Sequence, residues 1–402
     1  MYLRVMPHRK ILLVLACLSA LVVLFIQCGG ERPSSTDPRG KYYAGSASCA
    51  GCHKDVMDSY MHTSHANTSA AISAGSLSQM MKTTNRSYQY NDSGIVTAES
   101  RDGGFFQTFS LDGQVRRSAQ MEIAIGSGKN AQSYAYWQSP GLLRQLPLTY
   151  VSHGNAWTNS PGFTRKTAFF DRVVLSRCLE CHASFVNKTD VPGGPEMVME
   201  KMDPASVIYG IDCERCHGPS IDHVRYHEQF PDERKAKYVI PMASLSRQQK
   251  NDLCASCHSG NDQDMLHSTF GFRPGDTLSN YVLPSFGLAG KETDVHGKQM
   301  QRLMSSKCYQ QSQMTCQSCH SGHNNEKNSQ ALFVSKCMAC HKSSEHATGL
   351  TNDPAACLNC HMPVEVSKTI AFRDKGGNNS LLYMLRTHRI AVYPDSSSMS
   401  AK

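Results

Sequence analysis

The chain is poor in what usually builds a protein core. It has only two tryptophans in 402 residues, aromatics are 8% of the whole, and mean hydropathy is −0.41 even with an apolar N-terminus included. Charged residues are also scarce at 18%, below the usual quarter. No run of lysine and arginine marks a nucleic-acid surface, and no long periodic stretch marks a coiled coil. Past Ile26 no apolar run is long enough to span a bilayer. What the chain has instead is 17 cysteines and 18 histidines.

Those residues are ordered. Cys-x-x-Cys-His occurs seven times: Cys49/Cys52/His53, Cys178/Cys181/His182, Cys213/Cys216/His217, Cys254/Cys257/His258, Cys316/Cys319/His320, Cys337/Cys340/His341 and Cys357/Cys360/His361. Chance placement at this composition would give roughly 0.03 copies. The spacing suits covalent haem c: two sulfurs form thioethers with the haem vinyl groups, and the adjacent histidine becomes an axial iron ligand. A zinc ribbon would use four ligands per site and leave a histidine after every second cysteine unexplained. Disulfides within each motif would orphan the same histidines. The reading is seven covalently bound haems. Of the remaining cysteines, Cys17 lies in the leader, Cys28 follows it, and Cys308 is expected as a small buried side chain.

Residues 1–27 carry Arg4, Arg9 and Lys10 and then an apolar run from Ile11 to Ile26, the pattern of an export signal. Leu24-Phe25-Ile26-Gln27-Cys28-Gly29-Gly30 is similar to a bacterial lipobox in which Cys28 is lipidated, although Gln27 stands where a small residue is usual. Residues 28–45 then read as a lipidated tether rich in Gly, Pro, Ser and charge. The expected location is the periplasmic side of a bacterial membrane or the cell surface, with redox protein donor and acceptor as partners and no nucleic acid. The formal charge of +8 is consistent with this. Without Arg4, Arg9 and Lys10 it is +5, and seven ferric haems with two propionates each contribute about −7, leaving about −2.

The rest of the expected organisation is a first haem segment at 46–85, a β insert at 86–150 and a six-haem cytochrome domain at 151–402. The insert is read from short strand-like runs, Ser87–Tyr90, Gly94–Ala98, Phe105–Leu111 and Met121–Ile125, punctuated by Asp102-Gly103 and Asp112-Gly113 turns. Elsewhere helices are expected at Ser246–Cys254 and Lys298–Cys308. The fold class expected is mainly α with much irregular structure, packed around haem, with a small antiparallel β insert.

Each haem also offers its iron's second axial position. Beyond the seven motif histidines and His8, ten remain: His62, His65, His153, His223, His227, His267, His296, His323, His346 and His388. Nineteen methionines are alternatives that would raise the potential. Cys49-Ala50-Gly51-Cys52-His53 with Ser64-His65-Ala66, Cys213-Glu214-Arg215-Cys216-His217-Gly218-Pro219 with His223, and Phe272-Arg273-Pro274-Gly275-Asp276 carry a resemblance, as do Cys316–His320 with His323 and Cys357–Pro363 with Thr387-His388-Arg389. They resemble the superfamily of multihaem cytochromes c that includes hydroxylamine oxidoreductase, its tetrahaem electron acceptor, pentahaem nitrite reductase and octahaem tetrathionate reductase.

That resemblance implies distal ligation by His65, His223, His323, His346 and His388, with His296 sixth and the seventh among His62, His153, His227 and His267. No Cys-x-x-Cys-Lys motif is present, so the lysine-ligated catalytic haem of the nitrite reductases is absent. Nothing local marks Tyr383 or Tyr393 as a haem cross-link. The leading expectation is an electron-transfer cytochrome. The alternative is an oxidoreductase acting on a small nitrogen or sulfur compound at one open haem, with Arg116, Arg117, Arg165 or Lys166 holding the anion.

Overall fold

A computed structural model describes residues 35–73, 75–138, 141–163, 166–191, 199–260, 262–283, 293–326, 329–341, 355–373 and 380–393. Cys28, Arg165 and His346 lie outside these ranges.

The alternating apolar text after the first motif folds as two antiparallel sheets. One has the order β2 (Ser87–Gln89), β3 (Gly94–Arg101), β4 (Gly104–Leu111) and β5 (Gln114–Gln120). The other joins β1 (Ser69–Ala71), β6 (Ile123–Ile125), β7 (Ala131–Gln138), β8 (Leu142–Val151) and β10 (Arg172–Val173), with β9 (Ala156–Asn159) also paired to β8. The hairpin turns follow from Asp-Gly chemistry: Asp102 and Gly103 have φ 51° and 76°, Asp112 and Gly113 have 51° and 75°. Both residues of each turn are thus left-handed, as a two-residue hairpin of matching twist requires.

The sheets pack face to face as a sandwich. Val96, Ala98, Phe105, Leu146, Leu148, Tyr134 and Trp157 fill the space between them. Buried Gln107 crosses it, donating through Nε2 to the Leu148 carbonyl at 3.0 Å and accepting from the Leu148 amide at 2.7 Å. Both lone polar ends are satisfied, so the bridge adds register without a desolvation penalty. The larger sheet is two-faced, because neighbouring residues on a strand point to opposite sides. Ala124 and Tyr134 enter the sandwich, while Ile123 and Ala135 enter a second apolar cluster with Leu143, Val174, Leu179 and Ala183. That second cluster carries the helix Ser176–Leu179 of the second haem motif.

Two parts of the expected fold class need correction. The molecule is not mainly α: helix and strand occupy near-equal shares. Nor is the β insert small, since its sheets take strands from Ser69 to Val173 and further hairpins follow, including Val364–Arg373 with Ser380–Arg386. The physical reason is that motif helices are short, four residues at Ser46–Cys49 and five at Cys213–His217. The longest, Arg247–His258, is started by a capping box of Ser246 and Gln249. The expected helix 298–308 is two, Gln299–Met304 and Lys307–Gln310, broken at Ser305 and Ser306, where the Ser306 hydroxyl accepts from the Ile390 amide at 2.8 Å.

Among the described residues no helix is long and apolar enough to cross a membrane.

Candidate haem-binding core

All seven motif histidines line one continuous cavity of about 3660 Å³, well beyond the roughly 300–1,000 Å³ of a small-molecule pocket. His65, His223, His227, His296, His323 and His388 line it too, whereas His62, His153 and His267 do not. His62 is exposed, its Nδ1 bonded to the Asp58 carbonyl at 2.8 Å. His153 sits in the exposed turn between β8 and β9, and His267 packs on Tyr281.

The cysteines expected to carry thioethers face the same space, Cys360 apart. Cys360 does not line the cavity, although Cys357 and His361 of its own motif do, and every other motif cysteine does. Cys360 sits half-buried near the end of the helix Ala355–His361. In the sixth motif both Cys337 and Cys340 face inward, Cys340 lying just past the helix Gln330–Met338.

The histidines come in pairs across this cavity. His53 and His223 have ring centroids 6.4 Å apart, His65 and His258 6.1 Å, His217 and His323 5.8 Å, His320 and His388 6.1 Å. An imidazole nitrogen binds a metal at about 2.0–2.1 Å, and a ring centroid lies a little over 1 Å behind it. Two imidazoles on opposite sides of one metal therefore have centroids about 6.3 Å apart. Each pair joins one motif histidine to one histidine from a different part of the chain. The donor set and its spacing fit bis-histidine haem iron.

Outer contacts aim the rings. Nδ1 of His223 is bonded to the Lys237 carbonyl at 2.8 Å, that of His361 to the Ala391 carbonyl at 3.1 Å, and that of His182 to the Thr68 hydroxyl at 3.0 Å. With Nδ1 engaged, Nε2 is the nitrogen left for iron. Enclosure by protein, reinforced by neighbouring histidines, pushes His65 and His388 down to about 4. Neutral imidazole is the ligating form.

His296 lines the cavity with its ring 5.5 Å from that of Tyr383, and lies within electrostatic reach of His182. His227 stands 4.7 Å from His223, its Nε2 buried and without a hydrogen-bond partner among the described residues. Cys308 is only half-buried and lines the cavity, against the expectation of a buried position. Of the basic residues considered for an anion site, the three described ones do not line the haem core. Arg117 is held by Asp171, through two bonds of 2.6 Å, and by the Tyr136 hydroxyl. Arg116 is exposed on β5 and Lys166 is exposed, and none of the three lines the cavity.

The motifs also touch one another. Cys49 lies within electrostatic reach of Cys213, Cys181 of Cys257, and Cys254 of Cys316. Cys216 feels Cys257, and Cys337 lies within electrostatic reach of both Cys319 and Cys357.

Sequence reasoning missed the charged residues held inside two motifs. Glu180, between Cys178 and Cys181, accepts from the Ser268 hydroxyl and from the Thr269 amide and hydroxyl at 2.7–3.1 Å. Glu214, between Cys213 and Cys216, accepts from the amides of Ala44, Gly45 and Ser220 at 2.8–2.9 Å. Burial raises the Glu214 carboxyl more than these amides and Arg39 lower it. Neighbouring Arg215 donates to the carbonyls of Thr269 and Glu180. The available signal was a charge in a motif's variable positions, where no haem chemistry asks for one.

Residues 151–218, which hold the second and third motifs, match the family model "Cytochrome c554 and c-prime". No curated protein gives a match. Among solved structures, the crystal structure of the outer cell wall cytochrome OcwA aligns over 82% of this chain and 79% of its own, at 15% identity and a TM-score of 0.47. Seven Cys-x-x-Cys-His motifs on a shared cavity, two of them inside the cytochrome c554 match, support a chain of the multihaem c-type cytochrome kind with covalently bound haem c.

Proposed function

We propose that the protein is an exported, lipid-anchored electron carrier with seven haems, numbered here by motif order. The observation that carries this reading is the set of four histidine pairs at 5.8–6.4 Å. In it, haem 1 is ligated by His53 and His223, haem 3 by His217 and His323, haem 4 by His258 and His65, and haem 5 by His320 and His388. His296 is assigned to haem 2 opposite His182, and His346 to one of the last two haems.

Haem supplies one-electron exchange at iron, and the chain's own work is spacing, ligation and tuning. The motif contacts support an order. Haem 1 adjoins 3, haem 3 adjoins 4, and haems 5, 6 and 7 follow, with haem 2 as a side branch on 4. Electron transfer along such a row needs no substrate pocket. Donor and acceptor are redox proteins or surfaces at its two ends.

Electron paramagnetic resonance of the oxidised holoprotein tests the reading. Every iron is expected to be low-spin, unaltered by nitrite or hydroxylamine, with seven haems per chain by intact mass. A high-spin signal that shifts with either compound overturns the carrier reading and makes the protein an oxidoreductase. Cys28→Ala is expected to abolish lipid labelling and membrane attachment, and retention of both would refute the anchor.

A further inference from the structure

The segment that leads out of the proposed lipid attachment is not loose for its whole length. From Asp37 to Gly45 it is stapled to the third haem motif. Arg39, its side chain only 4% exposed, donates to Asp212 at 3.0 and 2.7 Å, to Glu214 at 3.1 Å and to Asp37 at 2.9 Å. Its guanidinium also stacks over the Tyr43 ring at 4.2 Å. Asp212 and Glu214 flank Cys213 on either side.

Backbone bonds continue the strap. The amides of Ala44 and Gly45 donate to Glu214, the Ile221 amide donates to the Tyr42 carbonyl at 3.1 Å, and the Cys213 amide donates to the Ser46 hydroxyl at 3.3 Å. A buried guanidinium facing three carboxylates is costly to pull apart, because each charge left behind is desolvated and unpaired.

We infer that the haem 1 and haem 3 end of the molecule faces the membrane and is the port at which a one-electron donor seated at the bilayer surface reduces the protein. The inference rests on the lipoprotein reading. Ser35 lies seven positions after Cys28, a span of at most about 25 Å. The strap then begins within two residues, so the bilayer lies within that reach of the third motif. Haem 7 stands at the opposite end of the row. Beside the first motif, Lys54 and Asp55 are exposed and stand outside the cavity lining, so this end of the row reaches the molecular surface. The step is a single electron passing to ferric iron, with no bond made and no proton moved.

Full-length holoprotein in liposomes tests this. In a Cys308→Ser background, a nitroxide is placed at Lys54→Cys, beside haem 1, or at Ala331→Cys, on the helix Gln330–Met338 beside haem 6; both positions are exposed. A paramagnetic chelate carried on lipid headgroups is expected to relax the label at 54 strongly and the label at 331 little. Arg39→Ala is expected to abolish that difference while haem content stays at seven. Should Arg39→Ala fail to fold, a flexible insert of about 20 Gly and Ser residues between Gly30 and Ser35, adding roughly 25 Å of reach, is expected to do the same. Equal relaxation at both positions in the bound parent, or stronger relaxation at 331, overturns the orientation. Failure of the parent to bind liposomes refutes the anchor and this inference with it, which separates the two.

Discussion

The β sandwich and the haem-lined region solve the same problem with opposite materials. The sandwich closes on Val96, Leu146, Leu148, Tyr134 and Trp157, with ring stacking of Tyr134 on Trp157 at 5.0 Å. The haem region encloses a cavity faced by cysteines and histidines. In one, side chains bury one another; in the other, they bury the macrocycles. The difference teaches that low hydropathy over a whole chain can average two regimes, one an ordinary core and the other a core made of cofactor.

The comparison breaks most visibly if haem is withheld. In full-length protein made without haem attachment, the haem region is expected to lose cooperative structure while the sandwich survives. Limited proteolysis would then leave a resistant fragment spanning about residues 68–175. Because Trp157 lies in the sandwich interior and Trp137 on the opposite face of its larger sheet, intrinsic fluorescence of the apoprotein should still show a cooperative unfolding transition carried by Trp157. Complete digestion of that fragment would end the idea of two regimes.

A core deletion probes the other side. Trp157→Ala removes a ring that is 1% exposed and donates through Nε1 to the Met80 carbonyl at 3.3 Å. It is expected to cost the sandwich about 3–5 kcal/mol, read by denaturant titration, with haem content unchanged. His388→Met should do the reverse. It is expected to raise the potential of one haem, by on the order of 0.1 V within the roughly 0.8 V that axial ligands span, and leave the sandwich transition where it was. Potentiometric titration followed at the haem bands decides this.

The smallest effect is electrostatic. The Arg117 guanidinium holds the Asp171 carboxyl below its ordinary 3.8, against a smaller opposing effect of burial. A depressed carboxylate stabilises the fold above its unfolded value, and that contribution is lost as pH falls through the folded value, so the window lies below pH 3.8. With the side chains 38% and 37% exposed, solvent screening keeps the pair under about 1 kcal/mol. Arg117→Ala is expected to flatten the acid limb of sandwich stability and change little at pH 7. An unchanged acid limb would show that the pair contributes nothing.

Legibility followed the range of the forces involved. Hairpins were readable because Asp102-Gly103 and Asp112-Gly113 specify their turns locally, and the start of Arg247–His258 because Ser246 and Gln249 cap it within one turn. Strands β1 and β10 were not, since three residues at Ser69 and two at Arg172 have no pattern of their own and exist through pairing with β6 and β8. The helix break at Ser305 and Ser306 depends on an amide 84 residues away. Glu180, Glu214 and Arg39 were overlooked for the same reason, as their partners are distant in sequence.

By itself the sequence determined the cofactor chemistry, because thioether attachment and the proximal iron ligand are adjacent residues and need no folding to be recognised. It also narrowed the histidines available as distal ligands to ten. Only the tertiary structure decided which of these face one another, as in His65 opposite His258, 193 positions apart, or His217 opposite His323. Axial pairing is a matter of two rings meeting in space about 6 Å apart, and no local spacing in the chain records it. The same holds for the strap: charge at Arg39 is plain in the sequence, but the Asp212 and Glu214 that fix it beside the third motif come together only on folding.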